Sequence, residues 1–415
     1  MIAPISAGPA PQFTWRFYIT WWAWLGSAVS IAFVQTVPTK PVIIFLGIVL
    51  LYGALFPIRF YKALVWNFVP WGIVALGALS AIWSAVPMHS ARSAAQIGLT
   101  TLVAIMFAQG LPAYSYIAAL MYAFLTSVLA SIYLPGGIFG SKNSLALAIA
   151  LLLLSSCWVM LDKQQLKVSR MVALAALLGT PPMLFAAGSQ GALLSAGFAL
   201  ICSFVPFLLR PLRSATRIQL ILLGTAIFVF VLAVAFLTQD DLFDAGLVSI
   251  GKDATLTGRT VLWSHALGII ADHPVGGIGL QAFWVEGNRA AERFWALFFI
   301  YSRTGFHFHN LWLEIGAELG IPGVVIAALT TLTVLFNVFR WVLNDPKPES
   351  CFFSGFVTLV FFRTFGEAEL YVQFYLVPMI FLAAYYYGAS ASSRQASLRS
   401  SSRTALHLAA AQQHA

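Results

Sequence analysis

The chain has 415 residues, of which 60% are hydrophobic and only 9% are charged, and its mean hydropathy is +0.86. Soluble globular domains carry about a quarter charged residues, so this composition excludes an ordinary soluble protein and predicts a polytopic membrane protein. The formal charge of +9 is scattered over short loops, which makes nucleic-acid binding a poor interpretation.

Apolar runs of about 20 residues recur along the chain and predict an all-α fold with about twelve membrane-spanning helices. In chain order the predicted helices cover 17–36, 41–57, 64–83, 95–110, 114–133, 144–161, 171–187, 191–209, 218–238, 310–340, 352–366 and 371–389. They divide the chain into a cytoplasmic N-terminal segment (1–16), nine spans (17–238), a long outer loop (239–309), three spans (310–389) and a disordered cytoplasmic tail (390–415). The tenth helix should break at "GIPG" (320–323), because Gly and Pro interrupt helices.

The distribution of Lys and Arg predicts the orientation of these spans. One set of loops holds most of the 23 cations, whereas the short loops on the other face hold only Lys40, Arg92 and Lys142, with Arg363 near a span end. Because cation-rich loops stay in the cytoplasm, both termini should be cytoplasmic. The long loop (239–309) then lies on the outer face.

This outer loop carries the ionisable chemistry of the chain. Together with the start of the next helix it holds nine of the 14 acidic residues and four of the seven histidines. An amphipathic helix is predicted from Gly258 to about Ala271, ended by "HPVGGIGL", and a second helix over 288–303 should lie in the membrane interface, aromatic side down.

The segment "FHFHN" (306–310) raises the possibilities of a metal site, an acid–base group or a structural histidine. Helical metal ligands recur at i, i+3 or i+4, and from His309 these positions are Trp312 and Leu313. Glu314 and Glu318 share a face, but no histidine precedes either by four residues, so the spacing argues against a zinc site of the HExxH kind. The structural and the acid–base interpretations both remain open.

Three outer-face cations, Arg92, Lys142 and Arg259, stand where cations are disfavoured. Lys142 in "GSKNSLA" begins a helix, where backbone N–H groups also favour anions. If the three cations converge, they would suit an anionic group such as a lipid diphosphate. Each also has a simpler interpretation, as a solvated cation at a helix end or in the interface.

Four motifs, taken in order, resemble the O-antigen ligase and polymerase superfamily of bacterial envelopes. They are "LSAIWSAVP" (79–87), "GSKNSLA" (140–146), "GRTVLWSHAL…DHPVGGIG" (258–279) and "HNLWLEIGAELGIPG" (309–323). The last places Gly320 after His309 and ten further residues, as in the His-x10-Gly pattern of the ligases. The resemblance covers roughly residues 75–385.

The resemblance implies a GT-C-like fold in the bacterial inner membrane and an inverting, metal-independent glycosyl transfer on the periplasmic face, without a cofactor. The donor would be a glycan on undecaprenyl diphosphate, and the acceptor lipid A–core or a growing polysaccharide. Arg259 would bind the donor diphosphate, helped by Arg92 and Lys142, and His309 would orient or deprotonate the acceptor hydroxyl. Asn143, Asn310, Gly320 and Gln190 would support the site. Other polysaccharide assembly proteins would be possible partners.

The chain departs from the family pattern at two positions. Many relatives carry Arg in a Ser-Arg-Gly turn after the seventh span, whereas this turn is Ser189-Gln190-Gly191, and Gln supplies no charge to a diphosphate. Trp263 replaces Leu four residues after Arg259. Lys142 or Arg92 would have to compensate for Gln190, or the donor is handled differently.

Other functions have weaker support in the sequence. No motif separates a ligase from a repeat-unit or exopolysaccharide polymerase. A transporter should carry ionisable residues near mid-span, whereas the span interiors here are nearly free of charge, and the one suspicious pair, Arg363 and Glu367, lies near an outer end. A scaffold protein would tolerate the loss of both Arg259 and His309.

Overall fold

The computed structural model describes residues 14–34, 39–134, 137–237 and 254–393. Within these ranges the chain forms helices and loops without a strand, which confirms the predicted all-α class. The first 13 residues, the beginning of the outer loop (238–253) and the tail beyond residue 393 lie outside the described part. Predictions for those segments therefore stay predictions.

The helices follow one another with short connections. In chain order they are α1 (Trp15–Ala32), α2 (Thr39–Leu55), α3 (Pro57–Val65), α4 (Gly72–Ser80), α5 (Pro87–Gly110), α6 (Ala113–Tyr133), α7 (Lys142–Leu161), α8 (Lys167–Ala186), α9 (Gln190–Leu208), α10 (Ser214–Leu237), α11 (Ala254–Asp272), α12 (Arg289–Leu297), α13 (Leu311–Asn344), α14 (Pro348–Arg363) and α15 (376–393).

Six helices in the described ranges, α5 to α9 and α13, are long and apolar enough to cross a membrane. A seventh span exists if α2 and α3, which meet at a bend of 101°, are counted as one. The membrane-protein character predicted from composition is thus confirmed. The count of twelve spans stays a prediction, because several other predicted spans are shorter helices.

The predicted third span (64–83) is wrong as a single helix. Its first residues belong to α3, a 3₁₀ turn (Val69–Trp71) follows, and only α4 continues the apolar run. The side chain of Asn67 accepts a hydrogen bond from the backbone N–H of Val69, the first residue of the turn. Pro70 is the second residue of the turn. Because proline lacks an amide donor and restricts the residue before it, the run is divided at this point.

Helix α7 forms the centre of the bundle and is buried along most of its length against α6, α8, α9 and α14. Helix α14 also packs along α9 and against α13. This packing assembles the start of α7, the start of α9, the end of α14 and the start of α13. Four loop-proximal segments that are distant in sequence therefore border one site.

The predicted break at "GIPG" is confirmed. Gly320 has φ 67° and ψ −168° inside α13, so the helical hydrogen bonding is interrupted there. Two freed carbonyls, those of Ala317 and Glu318, accept the backbone N–H groups of Ile278 and Gly279, while Ile321 N–H donates to the Pro274 carbonyl. The "HPVGGIGL" turn after α11 is thereby fixed to the kink of α13.

We expect Gly320→Ala to destabilise the protein by about 2 kcal/mol or more, because a positive φ strains a side-chain-bearing residue. A Cβ at this position would also lie 2.6 Å from the Pro274 carbonyl oxygen. Thermal unfolding of the purified protein in detergent measures the effect. The matched control is Gly268→Ala on α11, where a Cβ meets no atom within 4 Å. Equal melting temperatures for the two variants would contradict this account.

Candidate active site

The histidine segment is a loop that leads into α13. Asn310 is the N-cap of this helix, since its Oδ1 accepts the N–H groups of Trp312 and Leu313. His309, just before the cap, has φ 52°, a left-handed conformation that His tolerates better than most residues. Leu311 N–H donates to the Thr364 carbonyl, which ties the loop to the segment after α14.

The middle of this loop is held from two sides at Phe308, which is fully buried. The Glu314 carboxyl accepts the Phe308 N–H at 2.6 Å and the Trp284 indole N–H at 3.0 Å. From α11, the Trp263 indole N–H donates to the Phe308 carbonyl at 2.9 Å. Trp263 and Arg259 are four residues apart on the same helix face, so this bond sets the position of the Arg259 helix relative to the histidines.

We expect Trp263→Phe to lower the rate of whatever reaction this site performs about tenfold, since a buried acceptor loses its donor. A suitable control is Trp312→Phe, because the buried Trp312 indole nitrogen has no hydrogen-bond partner. Initial rates of the two variants and of the wild-type protein give the comparison. Equal rates for both variants would show that the Trp263 bond does not position the site.

Glu367 lies at the centre of a cluster of cationic and imidazole groups, and its side chain is 11% exposed. Its Oε1 accepts a hydrogen bond from Asn143 Nδ2 at 2.8 Å and lies 3.7 Å from the Arg259 guanidinium. Its Oε2 lies 3.4 Å from His307 Nε2 and 3.4 Å from His309 Nδ1. One carboxylate thus joins α7, α11 and the histidine loop.

The segment that carries Glu367 is held by a second ion pair. The Arg363 guanidinium, almost fully buried, donates to both carboxylate oxygens of Glu369, at 2.8 and 2.6 Å. The Glu367 N–H donates to the Arg363 carbonyl at 2.7 Å. Arg363 therefore pairs with Glu369 and not with Glu367, but it positions the Glu367 backbone, and its charge helps to lower the pKa of Glu367.

The surroundings set the ionisation of the cluster. Burial lowers the pKa of His307 to about 3, and the charges of His309 and Arg259 act in the same direction. Burial alone would raise the pKa of Glu367, but the contact with His309 and the neighbouring positive groups lower it to about 2. At neutral pH Glu367 is therefore a carboxylate and His307 a neutral imidazole.

The ligand atoms of His307, His309 and Glu367 lie within 4.8 Å of one another, a spacing that a metal ion could use. The helical-spacing argument does not apply here, because both histidines precede α13. The donor set, however, is a poor fit. His307 Nδ1 accepts the His309 N–H at 3.0 Å, so the proton of this neutral imidazole is on Nε2, the atom that faces Glu367. The Arg259 guanidinium also offsets the negative charge of the Glu367 carboxylate, which a bound metal ion would need.

The structure brings together three residues that the sequence singled out, namely Arg259, His309 and Asn143, around Glu367. The cations Arg92 and Lys142 are exposed at the starts of α5 and α7, and no described contact joins them to Glu367. Gln190 is exposed in the first turn of α9, whereas its neighbour Ser189 donates to Asn143 Oδ1 at 3.0 Å. The remaining two predicted residues, Asn310 and Gly320, have the structural positions described above.

The aromatic residues of the outer loop differ from the prediction. The helix expected over 288–303 ends at Leu297, and the chain turns at Phe299, which has φ 57°. Phe294 and Trp295 are buried against α11 and Phe308 instead of facing headgroups. The expected interfacial contact is therefore wrong for these two rings, because they form a small core with residues of α11 and the histidine loop.

A family model described as "O-Antigen ligase" matches residues 174–328 of this chain. The chain is also similar to "Exopolysaccharide production protein ExoQ" of Rhizobium meliloti (strain 1021), with 37% identity over 166 residues, which are 40% of this chain and 38% of that relative. The predicted resemblance to the O-antigen ligase and polymerase superfamily is confirmed. The residues matched by the family model include Arg259, His307 and His309, whereas Asn143 and Glu367 lie outside them.

Glu367 is a site residue that the sequence patterns do not mark as part of the site. In the sequence it stands out only as a partner of Arg363, in a pair that a transporter would explain. The signal is the segment "FRTFGEAEL" (362–370), which places one Arg and two Glu in a connection between apolar runs. A buried carboxylate needs polar partners, and Glu367 finds them on α7, on α11 and in the histidine loop.

Proposed function

We propose that this protein is a membrane glycosyltransferase that moves a glycan from undecaprenyl diphosphate to an acceptor hydroxyl on the periplasmic face of the bacterial inner membrane. The observation that carries the proposal is the meeting of Arg259 and His309 on the two oxygens of one carboxylate. A cation and an imidazole, both partly buried beside one carboxylate, are the groups that this transfer requires.

In the proposed reaction, the acceptor oxygen attacks the anomeric carbon of the donor sugar and the bond to the diphosphate breaks. His309 takes the proton of the acceptor hydroxyl, and Arg259 offsets the charge that develops on the leaving diphosphate. Attack opposite the leaving group inverts the anomeric configuration. The diphosphate already carries the activation, so no nucleotide is needed. No cofactor or metal enters the scheme, which agrees with the poor fit of the donor set to a metal.

Two acceptors fit this chemistry. The family model favours a ligase that places the glycan on lipid A–core. The similarity to an exopolysaccharide production protein favours instead a polymerase that joins lipid-linked repeat units. The shared donor explains why one site serves either role. Membrane lipid would surround the spans in both cases, and other polysaccharide assembly proteins are the candidate partners.

The direct test is reconstitution of the purified protein in nanodiscs with an undecaprenyl-diphosphate-linked glycan and either acceptor. We expect release of undecaprenyl diphosphate together with a glycosylated acceptor, at a rate that EDTA does not change. Loss of the gene separates the two roles, since a missing ligase accumulates lipid-linked polymer and a missing polymerase leaves single repeats. Export of glycan from vesicles that lack any acceptor would support a transporter instead.

A further inference from the structure

Glu367 lies between the proposed diphosphate-binding cation and the proposed base, and it holds neither tightly. Its distance of 3.7 Å from Arg259 exceeds the 2.7–2.9 Å that is typical of a charge-assisted hydrogen bond. On the other side, His309 Nδ1 is buried without a hydrogen-bond partner, and Glu367 Oε2 is 3.4 Å away. Both contacts can therefore tighten or release with a small movement.

We infer that Glu367 is a positioning residue that exchanges partners during the reaction. It offsets Arg259 in the resting enzyme, and it holds His309 Nδ1–H once a diphosphate has taken the guanidinium. The inference rests on the proposed function. It links binding of the lipid-linked glycan to the orientation of the base. The His309 imidazole is then oriented for proton abstraction only when the lipid-linked glycan is bound.

The difference in exposure supports this order of events. The Arg259 side chain is 34% exposed, whereas that of Glu367 is 11% exposed, so an anion arriving from the aqueous side meets the guanidinium first. A guanidinium offers five N–H donors in a fork that matches phosphate oxygens. The diphosphate can therefore bind Arg259 while Glu367 stays in place.

The carboxylate is anchored independently of Arg259. Asn143 Nδ2 donates to Glu367 Oε1 at 2.8 Å, and Ser189 in turn donates to Asn143 Oδ1 at 3.0 Å. When Arg259 binds the diphosphate, the hydrogen bonds from Ser189 to Asn143 and from Asn143 to Glu367 still hold Oε1. The negative charge of Oε2 then has the two imidazoles as its nearest partners.

The exchange has a defined consequence for the proton. When Nδ1–H of His309 donates to Glu367, the free lone pair of the imidazole is on Nε2. This nitrogen takes the proton from the hydroxyl group of the acceptor substrate. The imidazolium formed in this step is stabilised by the Glu367 carboxylate. As the bond between the anomeric carbon and the diphosphate oxygen breaks, its electron pair leaves with the diphosphate, and the proton passes from His309 to water.

The test is Glu367→Gln, an isosteric change that removes the charge and allows a side-chain amide to donate where the carboxylate accepted. We expect kcat to fall about 100-fold or more, because His309 loses the acceptor that orients it. Affinity for undecaprenyl diphosphate should instead increase about two- to fivefold, because a partly exposed ion-pair partner no longer competes for Arg259. Steady-state kinetics and binding to the protein in nanodiscs measure the two effects.

A double-mutant cycle identifies the source of the affinity change. In an Arg259→Ala background, Glu367→Gln should leave the affinity for undecaprenyl diphosphate unchanged. Glu292→Gln is the matched control, because Glu292 pairs with the half-exposed Arg303 elsewhere on the outer segment, and it should change neither kcat nor affinity.

The outcomes separate this inference from the function on which it rests. An active wild-type enzyme whose Glu367→Gln variant keeps its kcat, or binds undecaprenyl diphosphate equally well or more weakly, would overturn the partner exchange alone. A structural role for Glu367 would weaken binding and rate together. A wild-type protein that neither binds the diphosphate nor transfers glycan would overturn the proposed function and the exchange with it.

Discussion

Replacing His309 is expected to abolish glycan transfer while the protein still folds and inserts. General acid–base groups contribute about 10²- to 10⁴-fold to rate, and His309→Ala should lose an amount in this range. The more informative variant is His309→Asn. His309 has φ 52°, and Asn tolerates this left-handed conformation, so the change removes the basic nitrogen without adding backbone strain.

His307 is the natural comparison for this experiment, because it contacts the same Glu367 oxygen. Its pKa of about 3 keeps it neutral above about pH 4, with little capacity to accept a proton. His307→Ala should therefore cost less than either His309 variant, about tenfold, through loss of the acceptor for the His309 N–H. The shape of the pH–rate profile between pH 5 and 9 should not change, since His307 does not titrate there.

Rates from the reconstituted transfer assay measure the activity of each variant, and melting temperatures in detergent show whether the variant is as stable as the wild-type protein. A His309→Asn variant with a wild-type glycan profile would exclude His309 as the base. The roles would have to be exchanged if His307→Ala lost more activity than His309→Asn at equal stability.

Composition and local pattern were sufficient for the class of protein and for several helix ends. Apolar runs locate the long buried helices because a bilayer and a bundle core both require them. Gly320 and Pro322 predicted the kink in α13, because their effect on helical geometry is local. By contrast, the division of 64–83 depends on one turn, Val69–Trp71, inside an otherwise apolar run.

The site was predictable only in part, for a physical reason. The sequence marks Arg259 as a cation and His309 as an imidazole on the predicted outer face, and Asn143 enters only through the family resemblance. Glu367 joins them through the packing of α7, α9, α13 and α14, and such tertiary contacts leave no periodic signal in the sequence. The sequence pattern predicts an interfacial position for the rings of Phe294 and Trp295 for the same reason, because their partners come from α11 and the histidine loop.

Arg259→Ala is expected to lower kcat/KM for transfer about 10²- to 10³-fold, the loss typical of removing one group that stabilises a developing negative charge. Arg259→Lys keeps the charge but not the planar fork that holds two phosphate oxygens, so it should recover only part of the rate. Both variants should also bind undecaprenyl diphosphate more weakly than the wild-type protein, with the alanine variant the weaker of the two.

The loss can be assigned to chemistry because the fold depends little on this side chain. Arg259 is one-third exposed and lies 3.7 Å from Glu367, and a pair of this kind contributes about 1 kcal/mol or less to stability. Melting temperature and membrane insertion of Arg259→Ala should therefore match the wild-type protein. Arg303→Ala, which removes a half-exposed cation paired with Glu292 on the same outer segment, is the control for general surface charge. If Arg303→Ala reduced transfer as much as Arg259→Ala, the effect would be the attraction of an anionic donor to a basic surface, and Arg259 would have no specific contact with the diphosphate.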